Sequence, residues 1–513
     1  VGGAFLGGAL LRFWNLPANP PALYCDEAFH GYQAWSLLLT GADMRGVAWP
    51  LFFDIFGVGW EEPLYVYLTM VPVRIFGPTA AAPRMVAAAA GALSILAVAW
   101  LAGRIGGRLA GAVAALTMAF SPWAFHLSRV GFQASLLPLF LAAGSAALMR
   151  GVGRTDEDAA RRPISPGWVV AGAMLLTLSL YTYVAARPIV PLLVAGFLAL
   201  HPTPLRRLPG RWKLLAAAAL LVPIIPLAIF SFSPEGLERF RDVGLPGSSG
   251  GSAAALRFAS NYLGYFSPSF LLTDGDPNLR HSVAGFGVLH LHDLALALAG
   301  LAWALIRRRP GGLYIAWWLA VAPLAASLTA DPAHAVRAIG ALPAIHVLAG
   351  LGASMLFGPR GVLRPRALWS ASAAPALTLI LFAGISTVRY MDHYFTRYPI
   401  YSAPVWQYGL GEAYGRIEEI RAGHDAIYVT RAEDFPWIQR LYLLGFPPDR
   451  YQRSGFEGTG YLFDEPVFYR GDQIPGRHNP IFMLKPSEAE AAGLPAREVI
   501  PYPDGSPAFV LSW

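Results

Sequence analysis

The 513-residue sequence is poor in charge and almost without cysteine. Only 14% of its residues are charged, against about 25% in an average soluble domain. A deficit of that size over this length excludes an ordinary soluble protein. The single cysteine, Cys25, excludes an intramolecular disulfide framework and any multi-cysteine metal site. The long apolar runs show no alternation of period two, which argues against a membrane β-barrel. No internal repeat is evident. The first apolar stretch has neither a charged leader nor an A-x-A site, so no cleavable signal peptide is expected. Its abrupt apolar start suggests that a short cytoplasmic leader precedes it.

What is present is 55% hydrophobic residue, arranged in runs separated by short arginine-rich loops. This pattern predicts a polytopic α-helical membrane protein. Val1 to Trp14 reads as the end of a first span. Further spans are expected near 83–103, 109–127, 132–149, 167–186, 188–200, 214–232, 286–306, 313–329, 339–357 and 369–388, about 11 in all. "EPLYVYLTMVPVRIFG" is apolar but short and reads as an interfacial helix. The net charge of +7 comes mainly from loops, so topology explains it and no nucleic-acid partner is expected. Arg104 and Arg108, then Arg150, Arg154, Arg161 and Arg162, then Arg206, Arg207, Arg211 and Lys213 fall in every second loop. Arg307 to Arg309 and Arg360, Arg364 and Arg366 continue the series. Basic loops predict the cytoplasmic side. The opposite loops, 17–82 and 233–285, and the turn "TADPAHAVRA" are then external. Residues 1–388 read as the membrane part. Residues 389–513 read as a small extracytoplasmic α/β domain, from helix-like "WQYGLGEAYGRIEEIRAGHD" and "FPWIQRLYLLGF" and strand-like "AIYVT", "PVFYRG", "IFML" and "FVLSW".

Four features converge on the external side. "YCDEAFHGYQA" carries Asp26 and Glu27, which alone could be a solvated pair or a helix cap. "WEEPLYVYL" carries Glu61, Glu62 and Tyr65; acids at a helix start are its plain reading. "LLTDGDPNLRHSVAGFG" gathers Asp274, Asp276, Asn278, Arg280 and His281. Its D-G-D is a weak metal signal, so no metal is expected; were one needed, Asp274 and Asp276, with Asp26, are the first ligands to test. "DPAHAVRAIGALP" places His334 and Arg337 at an external helix start, against the orientation rule, where an anion partner and simple snorkelling compete.

Taken in order, "YCDEAFHGYQAWSLLLTG", "EEPLYVYL", the span pair ending "FSPWAFHLSR", "GDPNLRHS" and "PAHAVRAIGALP" resemble the lipid-carrier-dependent glycosyltransferases of the GT-C fold class. The similarity is to the bacterial branch related to protein mannosyltransferases and to the aminoarabinose transferase of lipid A. The resemblance implies a sugar donor on polyprenyl phosphate at the outer leaflet of the inner (plasma) membrane. An acceptor hydroxyl or amine attacks the anomeric carbon, and lipid phosphate leaves. A hydroxyl is a weak nucleophile and needs a base. The resemblance makes Asp26 that base and Glu27 its supporting neighbour. It makes Arg280, His281, His334, Arg337 and Arg129 candidates for holding the phosphate, and Glu61, Glu62 and Tyr65 candidates for the acceptor side. No cofactor is implied. Two positions depart from the family: Gln133 stands where an acid often occurs, and Glu62 where some relatives have a basic residue. The acceptor (protein, lipid or glycan) stays open. A transporter or flippase of lipid-linked glycans would want charges at mid-span and a pseudo-symmetric repeat. A polymerase or ligase would want a large basic outer loop.

Overall fold

Apolar sequence and helix starts together set the architecture of the computed structural model, which describes residues 1–152, 164–234, 236, 251–329, 333–359, 361–363, 373–424, 426–453, 466–468 and 479–513. Arg154, Arg161, Arg162, Arg360, Arg364 and Arg366 lie outside the described residues, as does most of 235–250 in the second external loop. The chain opens with α1 (Gly2–Phe13), α2 (Cys25–Thr40), the hairpin β1 (Phe53–Asp54) and β2 (Trp60–Glu61), and α3 (Leu64–Phe76). There follow α4 (Ala81–Gly106), α5 (Arg108–Phe120), α6 (Pro122–Leu127) and α7 (Leu137–Val152).

Described helices overlap every expected span. Among the described residues, five stretches, Ala81–Gly106, Gln133–Val152, Gly210–Ser231, Ile339–Phe357 and Ala374–Thr396, are long and apolar enough to cross a membrane by length and composition. The span expected over 109–127 is broken. Ser121 is extended, and Pro122, lacking an N–H, starts α6 rather than continuing α5. The long helices divide by environment. Of the most apolar stretch in each, 72% is buried in α4 and 83% in Ile339–Phe357, but 6% in Gly210–Ser231 and 11% in Ala374–Thr396. The first pair forms the bundle core with α5 and α7; the second pair presents apolar side chains outward, as lipid-facing helices do.

After the bundle comes a five-stranded sheet of order β4-β3-β5-β7-β6, with β3 (Ala426–Val429), β4 (Pro466–Phe468), β5 (Pro480–Leu484), β6 (Glu498–Pro501) and β7 (Pro507–Ser512). β4, β3 and β5 run parallel; β7 and β6 are antiparallel. β6 had no counterpart among the expected strands. The helix Leu410–Ile420 buries Leu410, Ala413, Tyr414 and Ile417, one stripe at helical spacing, on this sheet. The boundary expected at 388 falls inside the continuous helix Ala374–Thr396, whose Tyr390 and Tyr394 pack edge-on against Phe125 of α6.

The helix Trp437–Leu443 packs across α2. A side chain on Gly31 would place its Cβ 2.3 Å from the Tyr442 ring, and the Tyr442 hydroxyl donates to Thr79 O at 3.0 Å. That ring cannot swing away without losing its hydrogen bond. Gly31→Ala is therefore expected to cost about 1–3 kcal/mol through overpacking. The check is a thermal unfolding midpoint in detergent; an unchanged midpoint refutes this tight contact.

Candidate active site

α2 starts at the acidic pair and separates its two members. Glu27 is fully buried. Its Oε2 accepts from Tyr24 N at 3.0 Å, closing the helix start. Arg84 of α4, equally buried, reaches it through Nε and Nη2, both at 2.8 Å. Gly131 N donates to Oε1 at 2.8 Å. A Cβ on Gly131 would sit 3.2 Å from the Glu27 side chain, so the backbone comes this close because the residue is glycine. With four donors on two oxygens, Glu27 is a clamp between α2, α4 and the 128–132 turn.

Asp26 points elsewhere. The residue is half-buried, and its Oδ1 receives a weak bond from Cys25 Sγ at 3.6 Å. The surrounding protein strips away most of its water and holds the carboxyl above the ordinary carboxylate range. The negative charge of Glu61 adds to that rise; His30 and Arg280 oppose it. Arg280 lies 4.1 Å over the Tyr24 ring and donates Nη1 to Val405 O at 3.0 Å. The Tyr24 hydroxyl donates to Asp434 Oδ2 at 3.2 Å, so the loop after β3 reaches the edge of this site.

Glu61 is delivered by the β1–β2 hairpin, where Phe53 pairs with Glu61. Its Oε2 lies 2.7 Å from His30 Nε2. His30 is one helical turn from Asp26, on the same side of α2.

A second group forms around Asp276. Its Oδ1 accepts from Asn278 N at 2.8 Å, and its Oδ2 from Ala335 N at 2.7 Å. The same Oδ2 is 3.0 Å from His281 Nδ1 and 3.8 Å from His334 Nδ1. Burial alone would raise this carboxyl, but the His281 contact and the two backbone donors hold it below its ordinary value. Arg337 donates Nη1 to Thr329 Oγ1 at 2.8 Å, and its charge acts on Tyr265, whose hydroxyl accepts from His334 N. Asp276, His281 and His334 offer ligand atoms within 4.8 Å of one another and could hold a divalent cation. Asp274, expected as a partner of Asp276, instead accepts from Ser269 Oγ at 2.7 Å on the surface.

Asp26, Glu61 and Arg280 thus come together, and His281, His334 and Arg337 gather around Asp276 nearby in the same loop system. Besides Glu27 and Asp274, three expected residues do not join. Arg129 is fully buried, with donors spent on the carbonyls of Leu11, Arg12 and Asn19 and on the Tyr394 hydroxyl; it braces α1 and is not open to a phosphate. Tyr65 is fully buried and donates to Pro83 O at 2.6 Å, beneath the site. Glu62 is buried against Arg187 Nη2 at 3.0 Å. Sequence reasoning missed His30, Arg84 and Asp434. The four-residue step from Asp26 to His30 was a legible signal; nothing local marks Arg84 or Asp434.

No family model and no curated protein matches the sequence. Solved structures do. ArnT from Cupriavidus metallidurans bound to undecaprenyl phosphate aligns with TM-score 0.61 and 14% identity, over 99% of this chain and 97% of that one. The apo form of ArnT gives 0.54 and 15%, over 99% and 96%. The Archaeoglobus fulgidus oligosaccharyltransferase AglB, in complex with an inhibitory peptide and a dolichol-phosphate, gives 0.51 and 15%, over 86% of this chain and 63% of that one. The chain has the GT-C fold of lipid-carrier-dependent glycosyltransferases, built as a multi-pass helical membrane protein.

Proposed function

We propose that the protein transfers a sugar from a polyprenyl-phosphate carrier to an acceptor at the outer face of the membrane, with Asp26 as general base. The observation that carries this reading is the division of the acidic pair: Glu27 is consumed by the scaffold, while Asp26 is partly exposed beside Arg280. The acceptor O–H or N–H gives its proton to Asp26 as the nucleophile attacks the anomeric carbon. The carbon–oxygen bond to the phosphate breaks, and polyprenyl phosphate leaves with one more negative charge. Arg280 stands beside the base to stabilise that charge, and Arg337 is a second candidate for it. Direct displacement inverts the anomeric centre. Because Asp26 is held above the ordinary carboxylate range, activity should fall as pH drops through a value higher than that of a free aspartate. The undecaprenyl phosphate and dolichol-phosphate bound in the similar structures support the donor class.

The test is to incubate purified protein with polyprenyl-phosphate-linked sugars and a cell-envelope extract as acceptor source. Release of polyprenyl phosphate, matched by labelled glycan, is the expected result; movement of intact donor across a vesicle without release would instead mean transport. In this reading arginines suffice for the leaving phosphate and no metal takes part. EDTA should leave the rate unchanged. A loss restored by added zinc or magnesium would give Asp276, His281 and His334 a catalytic role.

A further inference from the structure

His30 lies buried beneath Asp26, and both of its ring nitrogens are engaged. Nδ1 is 2.9 Å from Gly131 O. A carbonyl only accepts, so Nδ1 carries a proton. Nε2 is 2.7 Å from Glu61 Oε2, a distance that needs a proton between them. Two arrangements satisfy both contacts: imidazolium with carboxylate, or neutral imidazole with carboxylic acid. Each has a net charge of zero. Burial disfavours the imidazolium, but the Glu61 carboxylate and the Gly131 carbonyl together hold the His30 pKa above its ordinary value, which favours the ion pair.

We propose that His30 and Glu61 form a charge-neutral positioning dyad for Asp26: the shared proton keeps Glu61 from presenting an uncompensated negative charge, so Asp26 stays ionised and able to take the acceptor's proton. The inference rests on Asp26 as base. His30 does not touch the reacting atoms in this scheme, since both of its nitrogens are occupied within the protein. The other groups facing Asp26 are Arg280, whose charge opposes that of Glu61, the Cys25 thiol, and Tyr24, on whose hydroxyl the Asp26 charge acts. Those facing His30 are Glu61, Asp26 and the Tyr65 ring, 4.8 Å away. The nearby Glu27–Arg84 pair is itself neutral. Glu61, expected on the acceptor side, is thereby reassigned.

The dyad predicts a pattern across three variants of the full-length protein, read as the acid limb of the kcat–pH profile with a polyprenyl-phosphate sugar donor. His30→Gln strands the Glu61 charge beside Asp26, so the limb should move up by about one pH unit. Adding Glu61→Gln removes that charge, and the double variant should return to the wild-type limb. Glu61→Gln alone removes both charges and should also leave the limb in place. A purely structural role predicts the opposite: lowered rates at every pH, an unmoved limb, and a double variant no better than His30→Gln. That outcome overturns the proposal. If His30→Gln fails to fold, the double variant should recover monodisperse protein, because the stranded buried carboxylate is then the fault; no recovery overturns it equally. An active Asp26→Asn protein defeats the reading of Asp26 itself, whereas an inactive one with an unmoved His30→Gln limb defeats only the dyad.

Discussion

Asp26→Asn should abolish sugar transfer, by about 10²–10⁴-fold, while leaving the protein folded. The amide keeps the size and shape of the side chain but cannot accept a proton at neutral pH. Folding should survive because Asp26 does little for the scaffold: among the described residues its side-chain hydrogen bond is the weak one from Cys25. An asparagine oxygen can accept that bond as well. Removing a carboxylate whose burial already raises its pKa also relieves an electrostatic cost. The stability of the variant should therefore match or slightly exceed that of the wild type. Release of polyprenyl phosphate and the unfolding midpoint, measured on the same preparation, separate the two effects. Near-normal turnover would remove Asp26 from the chemistry.

The neighbouring acid should behave in the reverse way. Glu27→Ala leaves the Arg84 guanidinium buried without its carboxylate and removes the acceptor for Tyr24 N and Gly131 N. Breaking one side of a buried ion pair costs about 3–5 kcal/mol. Arg84→Ala should be worse. It isolates the Glu27 charge and also releases the carbonyls of Leu16, Pro20 and Ala22, which Arg84 gathers from the segment before α2. Replacing both partners with apolar residues should recover part of the loss and not all of it, because those carbonyls remain without donors. Yield of monodisperse protein and unfolding in detergent report this directly. A Glu27→Ala protein as stable as wild type would refute the clamp. Two adjacent carboxylates should thus fail by different routes, one in rate and one in stability.

Much of the architecture follows from local sequence. Apolar runs too long for anything but helices, broken by prolines at helix starts and arginines in loops, specify a helical membrane bundle without reference to distant residues. The stripe Leu410, Ala413, Tyr414 and Ile417 specifies a helix lying on a sheet. The acidic start of α2, with His30 one turn on, was present in the same eleven-residue stretch. Tertiary structure decided which acid is free. Glu27 meets Arg84, 57 positions away, and Gly131, 104 away; Glu61 meets His30 across 31. Such pairings depend on how helices are set against each other, and charge of one type at one position reads the same whether its partner is water or a buried guanidinium. For that reason Arg129, a plausible phosphate ligand by residue type and side, becomes a brace once its donors meet backbone carbonyls. Composition and periodicity determine what must be buried in a membrane. Only packing decides which ionisable groups are left with unused capacity for chemistry, because desolvation and hydrogen bonding are set by neighbours that the linear order does not name.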